Sequence, residues 1–322
     1  MRAFTLYWSS LKKYEECPQA FLWGRGWGNI DCGGGPGRRK PVPFISSRHH
    51  AVMGIVIANV LERLYNDELW RDPVGLADRL EALVDTEWAR VTAKSRNFVD
   101  YRVAGSAYEL KKICKDGVRG YLRTMKAHRL LGEYARAEVE LLGWIDKYNP
   151  VGGRADLIIR RQDTGISIMD GKNAKSKGKY TDPDQLRWYA MLFYLAYREM
   201  PDRVGFNYFR YPHGTPMVDP KTKEPVLDEA TNQPLIEQGV DWVPFTKDDL
   251  KGLAHRAVVA RKGMDKEKFP ANPVPKVCQW CDYATVCPER IAQKEKNSRG
   301  RRKNKKKVDA IEGEGGFTDF NL

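Results

Sequence analysis

The chain has no window of about 18 uninterrupted apolar residues, and its opening stretch, MRAFTLYWSSLKKYEECP, lacks the apolar run and small-residue cleavage site of a secretory signal. Membrane-spanning and exported classes are set aside on that basis, and a soluble, intracellular, cytoplasmic protein is expected. No internal repeat is evident. Glycines cluster in GWGNIDCGGGPGRRKP, yet no GK[ST] follows and no strand precedes, so this is neither a phosphate-binding loop nor a dinucleotide fingerprint. Acidic residues are in deficit, 42 against 55 Lys plus Arg, and the resulting charge of +13 favours a polyanionic partner. Part of that excess lies in RGRRKNKKK at 299–307, and a further basic run, KNAKSKGKY, begins at Lys172.

What is present suffices for a packed domain: 322 residues at 42% hydrophobic content bury a substantial core. Helical spacing predicts a short helix over Trp8 to Trp23, a second from about Ser47 to Leu69, and others over roughly 75–93 and 105–131. The pattern then changes. ARAEVELLGW, RADLIIR and GISIMDGK read as three strands, the first two joined by a turn at Asn149-Pro150. DPDQLRWYAMLFYLAYREM returns to helix, with Asp182 at the N-cap and Pro183 at the first helical position. Arg203 to Tyr211 reads as a fourth strand. Residues 213–240 form a surface hairpin or loop insertion, and a helix begins near Thr246, where Asp249 completes a variant capping box.

Asp156 lies in the second expected strand. Asp170 and Lys172 lie at the end of the third, two apart and so on one face. Two carboxylates suit Mg²⁺ or Mn²⁺, which prefer oxygen ligands, and a neighbouring ammonium stabilises negative charge developing on a phosphate. The bland alternative is a pair of turn-flanking acids matched with lysines.

Taken together, YEECPQAF at 14–21, GGRADLII at 152–159, MDGK at 169–172 and QLRWYA at 185–190 make the chain resemble the PD-(D/E)xK nuclease superfamily. Within it, the resemblance is to RecB-like exonucleases, including the iron-sulfur nucleases associated with CRISPR adaptation. It covers most of residues 8–290. It implies an α/β fold of restriction-endonuclease type, a mixed sheet flanked by helices, and a metal-dependent deoxyribonuclease that hydrolyses phosphodiesters. It further implies Asp156 and Asp170 as metal ligands, Lys172 as the catalytic lysine, and Gln185 and Tyr189 as helix residues facing the site. Gln185 also stands three after Asp182, where a capping box would place it. Such nucleases often carry a metal-binding His four residues after a glycine on an early helix, whereas here Gly54 is followed at that offset by Ala58. Glu62 and Glu140 are the candidate replacements.

Six cysteines occur, and in a reducing compartment thiols serve as metal ligands or buried side chains. Cys278, Cys281 and Cys287 fall within ten residues, and Cys17 is the candidate fourth ligand. Four thiolates hold either a 4Fe-4S cluster or structural Zn²⁺, and the resemblance to iron-sulfur nucleases favours the cluster. Cys32 and Cys114 read as ordinary thiols.

The expected organisation is one domain over 1–292: a helical part to about 132, an α/β core over about 133–212, an insertion over about 213–240, and a C-terminal helix with the cysteine loop over about 241–292. A flexible charged tail follows over 293–322. The expected partner is DNA, single-stranded or with free ends, met in repair, recombination or replication, and the tail offers a docking peptide, GFTDFNL, for a protein partner. A non-catalytic iron-sulfur subunit that binds DNA within a repair or replication complex is the competing reading, motivated by Ala58.

Overall fold

The computed structural model describes residues 4–25, 48–94, 97, 99–131, 134–178, 181–211, 214–219, 221–228, 231–279 and 281–296. Cys32, the glycine cluster after Arg25, and the basic run and terminal peptide of the tail lie outside the described residues. In chain order the elements are β1 (Leu6–Tyr7), α1 (Trp8–Glu16), α2 (Pro18–Arg25), α3 (His49–Asn66), α4 (Leu76–Thr92), α5 (Tyr101–Ala104), α6 (Ala107–Ala127), β2 (Tyr134–Trp144), β3 (Pro150–Arg161), β4 (Gly165–Lys172), α7 (Pro183–Tyr197), β5 (Arg203–Tyr208), β6 (Val240–Val243), α8 (Lys247–Asp265) and α9 (Pro275–Cys278). None of the described helices is long and apolar enough to cross a membrane.

The chain divides into two compact units, Met1–Trp8 with Ser46–Val259, and Ser9–Ile45 with Ala260–Leu322. The first holds a mixed six-stranded sheet in the order β1-β3-β4-β5-β6, with β2 also paired to β3. Strand β2 runs antiparallel along the whole of β3, from Tyr134↔Arg160 to Trp144↔Pro150. The opposite edge of β3 is shared: β1 pairs parallel at Val151 and Gly152, and β4 pairs antiparallel at Leu157 to Arg161. Residues 153–156 therefore lie between two partners on that edge.

Helices cover the sheet because their apolar positions recur on one stripe. Helix α3 buries Val52, Val56, Ile57, Val60, Leu61 and Leu64 in one core with Leu80 and Val84 of α4, Val118 of α6, and Leu157 and Met169 of the sheet. A capping box starts α6, the Ser106 side chain accepting from the Glu109 backbone N–H while the Glu109 carboxylate accepts from that of Ser106. Helix α7 packs elsewhere on the sheet: a side chain at Gly153 would meet Leu192 at 2.7 Å, and the Trp188 indole donates to the Gly152 carbonyl at 3.1 Å. As the sequence indicates, Asp182 caps α7 and Pro183 opens it, and Thr246 exchanges bonds with Asp249 at the start of α8.

The mixed α/β sheet flanked by helices agrees with expectation, and the departures are local. The helix expected over Trp8 to Trp23 is two, broken where Pro18 follows Cys17, because proline disfavours helical geometry in the preceding residue. The helix expected from 105 starts earlier as the short α5 and is interrupted at Gly105, whose φ of +86° no bulky residue adopts readily. Strands β1 and β6 are additions to the expected four. The described residues within 214–239 are tied by the bridges Pro216↔Ile236, Val218↔Pro225 and Leu227↔Pro234.

In the second unit, Leu11 and Phe21 are fully buried, and Tyr14 meets Phe21 and Phe269 edge-on at 5.7 and 6.0 Å. The Tyr14 hydroxyl donates to the Lys268 carbonyl, and Trp23 packs edge-on against Tyr283 at 5.4 Å.

Candidate active site

Regular alternation along β3 and β2 breaks at one place. Gly153 faces α7, as does Ile158, which lines a cavity with Phe193 and Tyr197, although one position is odd and the other even. In β2, Gly143 would meet Leu195 of α7 while Tyr134 lines that same cavity. Both strands thus slip phase once, and the slip falls at Glu138 and Asp156, which stand opposite each other between the pairs Ala137↔Leu157 and Val139↔Ala155. Glu138 has a φ of +54°, left-handed backbone that a non-glycine residue adopts at a cost of order 1 kcal/mol. The slip turns both carboxylates toward a cavity of about 90 Å³ lined by Gly54, Ile57, Ala58 and Leu61 of α3.

Continuing the antiparallel register of β3 and β4 from Leu157↔Met169 sets Asp170 across from Asp156. Asp170 is 2% exposed. Its Oδ1 accepts from Gln185 Nε2 at 2.8 Å, and its Oδ2 lies 2.5 Å from Lys172 Nζ. Gln185 is the hub on α7: Nε2 also reaches the Tyr189 hydroxyl at 3.2 Å, and Oε1 accepts from Lys172 Nζ at 3.4 Å. Its side chain thus serves the site, while the Asp182 carboxylate caps the helix by accepting from the Asp184 N–H. Asp156 Oδ2 accepts from the Gly171 N–H at 2.8 Å. Gly171 is needed there because a side chain would enter the Phe209 ring.

Electrostatics reflect this crowding. Burial, then the Asp170 charge opposite, push the Asp156 carboxyl well above the usual carboxylate range. Burial also raises Asp170, with Lys172 working against it, and raises Glu138, which feels Glu62 and Asp170. Tyr189 is raised by burial and by Asp170 and Asp156.

The structure therefore brings Asp156, Asp170, Lys172, Gln185 and Tyr189 together. Glu62, on α3, lies within electrostatic reach of Glu138. Glu140 is exposed and pairs across the strands with Arg154. Glu138 is the acid that sequence reasoning passed over. Two asparagines were missed as well: Asn207, opposite Gly171 on β5, is 1% exposed with neither amide atom hydrogen-bonded among the described residues, and Asn173 Oδ1 is likewise unpaired. Both line the cavity beside Asp156. A buried polar group without a partner costs about 1–3 kcal/mol. Asn207→Leu, flanked by Met169 and Phe209 in that cavity, is expected to raise Tm by a few degrees in a thermal melt; an unchanged or lower Tm shows that water satisfies the amide.

In the second unit, Cys17, Cys278, Cys281 and Cys287 line one small cavity of about 20 Å³. The Asn272 N–H donates to Cys17 Sγ at 3.5 Å, and the Cys287 thiol donates to Gln19 Oε1 at 3.6 Å. Burial raises the Cys281 and Cys287 thiols, and Cys17 and Cys278 act on Cys281 in the same direction. Among the described residues no three His, Cys, Asp or Glu side chains are drawn into a metal-ligating arrangement. Cys114 does not line this cavity; it is fully buried in the first unit, with its thiol pushed up to about 12 by burial.

A mixed sheet flanked by helices, with carboxylates on two neighbouring strands and a lysine two residues beyond the second, is a fold of restriction-endonuclease type. The model of the PD-(D/E)XK nuclease superfamily matches residues 7–288, and the chain belongs to that superfamily. No curated protein matches it. Among solved structures, the crystal structure of SSO0001 is similar at 16% identity, covering 59% of this chain and 79% of that one with a TM-score of 0.28.

Proposed function

We propose that the protein is a metal-dependent deoxyribonuclease of the RecB-like group, an exonuclease or end-processing enzyme acting in DNA repair, recombination or replication. The observation that carries this reading is the cluster of Asp170, Lys172 and Gln185, tied together at 2.5–3.4 Å, with Asp156 held by the Gly171 N–H on the neighbouring strand within electrostatic reach of Asp170 and Glu138. Its donor set fits a hard cation: carboxylates facing each other on adjacent strands are stabilised by a shared positive charge. Asp156 and Asp170 would hold Mg²⁺ or Mn²⁺, with Glu138, Glu62 or Glu140 as the further acid. When bound, such an ion polarises phosphate and lowers the pKa of a coordinated water.

The protein's own groups do the rest. Lys172 sits with its ammonium against Asp170, where it would stabilise negative charge on the phosphate as the cleaved bond lengthens. Gln185 fixes both partners from the rigid helix α7, and Tyr189 holds Gln185.

The four cysteines fit a second group. Thiols from the two ends of the chain's second unit line one cavity, and as thiolates they would hold a 4Fe-4S cluster, or Zn²⁺ in the alternative. The group would tie that unit together; redox activity is not part of the proposal.

The competing reading is a DNA-binding iron-sulfur subunit without catalysis, favoured by Ala58 at the position of the expected His. Purified protein with Mn²⁺ or Mg²⁺ is expected to degrade end-labelled DNA, and chelation to stop it. Cleavage persisting in Asp170→Ala, in preparations free of host nucleases, overturns the assignment; tight binding without cleavage across metals and substrates favours the subunit.

A further inference from the structure

Beyond Asp156, toward the start of β3, the sheet face turned away from α7 carries side chains that are exposed among the described residues. Tyr7 of β1 and Leu142 of β2 flank Gly152 in the register, and a side chain at Gly152 would meet Leu142 at 2.9 Å and Tyr7 at 3.3 Å. Trp144 lies two residues beyond Leu142 on the same face. These three are 38%, 52% and 55% exposed, a contiguous apolar and aromatic patch of the kind that marks an interaction surface. At the hairpin tip Tyr148 is also exposed, with Lys147 Nζ 4.7 Å from its ring centroid.

The patch leads into the catalytic cavity. On β3 the same face carries Gly152 and then Arg154, whose guanidinium lies 3.6 Å from Glu138, and next comes Asp156. At about 3.4 Å per residue, Gly152 stands roughly 13 Å and the hairpin end roughly 20 Å from Asp156.

We infer that this face is the track on which single-stranded DNA lies as it enters the site, its bases stacked on Tyr7 and Trp144 and a phosphate met by Arg154. The inference rests on the deoxyribonuclease reading. A single strand is favoured over a duplex for a physical reason. Arg154 is flanked by Glu138 and Glu140, so the track has little net attraction for phosphates, and its affinity must come from base faces, which a duplex keeps inside its own stack.

Binding of a fluorescein-labelled 20-mer oligo(dT), a 20-base-pair duplex and an oligo(rU) 20-mer to the full-length protein is measured by anisotropy in EDTA, over a range of salt. Trp144→Ala is expected to weaken oligo(dT) binding about 5- to 100-fold at an unchanged salt slope, with duplex binding unaltered and Trp144→Phe close to wild type. Tyr7→Ala is expected to act in the same direction. Matching Tm values for wild type and variants exclude misfolding; should Trp144→Ala fold poorly, the oligo(dT)-to-duplex ratio of Trp144→Phe and Tyr7→Ala decides. Equal losses on oligo(dT) and duplex, or no loss on either, overturn the track. Oligo(rU) that binds and responds as strongly as oligo(dT) overturns the assignment to DNA. Cleavage distinguishes the two readings: a Trp144-dependent oligo(dT) complex that is never cut with Mn²⁺ sinks the nuclease while the track stands. Cutting by a protein whose oligo(dT) affinity ignores Trp144 and Tyr7 does the reverse.

Discussion

Asp156→Asn is expected to abolish cleavage and, in metal-free buffer, to make the protein more stable. Asp156 and Asp170 face each other across β3 and β4, and burial with mutual repulsion holds the Asp156 carboxyl well above its ordinary pKa. A buried charge opposed by another destabilises the fold that contains it. The amide removes that charge, keeps nearly the same shape, and still presents an oxygen to the Gly171 N–H, so no hydrogen bond need be lost. Lys172 keeps its own partner, Asp170. A gain of about 1 kcal/mol corresponds to a Tm increase of about 1–2 °C in a chain of this length. Activity moves the other way: with Asp156 as a metal ligand, as proposed, its loss is expected to lower cleavage by at least about 10²–10³-fold. Added Mn²⁺ should reverse the order of stability, because wild type gains by mass action, about 2.7 kcal/mol at a hundredfold excess over Kd, whereas the variant gains little. Thermal melts with and without Mn²⁺ check this. A variant that melts below wild type in EDTA, or gains as much from Mn²⁺, would falsify the assignment of Asp156 as a strained metal ligand.

That combination of strain and function also explains which parts of the site sequence reading reaches. Asp170 and Lys172 follow strict two-residue alternation, and Gln185 and Tyr189 follow helical i, i+4 spacing, so each pair's shared face is written in local periodicity, while the meeting of the two pairs was implied by the family resemblance alone. The cap at Asp182 and the proline after it set where α7 begins and hence where Gln185 points. Glu138 is hidden for the opposite reason. It faces the cavity because β2 and β3 slip phase together and its backbone turns left-handed, and no alternation rule foresees a slip; Glu140 is the acid that simple spacing offers instead. Asn173 and Asn207 carry no motif, and only their burial without partners distinguishes them. Strands β1 and β6 were missed because two and four residues are too few to show a period, and their pairing with β3 and β5 defines them. The break at Pro18 was missed although its signal is local, since a proline disfavours helical geometry in the preceding Cys17.

The clustering of the four cysteines has no local signal either, because Cys17 and Cys278 are brought to one cavity by the fold of the second unit and not by spacing. From this comes the other large expected effect. Cys278→Ser, in protein purified anaerobically, is expected to lose the iron and sulfide that the proposed cluster would bring to wild type, and to lower the melting temperature of the second unit far more than a Cys-to-Ser exchange elsewhere. The reason is linkage: a site assembled only in the folded chain contributes its binding free energy to folding, on the order of 10 kcal/mol for structural metal centres. It closes a loop between distant parts of the sequence, which restricts the unfolded chain as well. Cys114→Ser supplies the control. That thiol is buried in the first unit, raised to about 12, and not among the residues lining the cavity, so its replacement should leave iron content unchanged even if packing suffers. Iron and sulfide quantitation, the visible absorbance band, and melts with and without chelator read the outcome. Stoichiometric zinc without sulfide reassigns the centre to Zn²⁺. Wild type that carries neither metal and melts identically in chelator removes the centre altogether, and leaves the four thiols as packing for the cavity between Trp23 and Asn272.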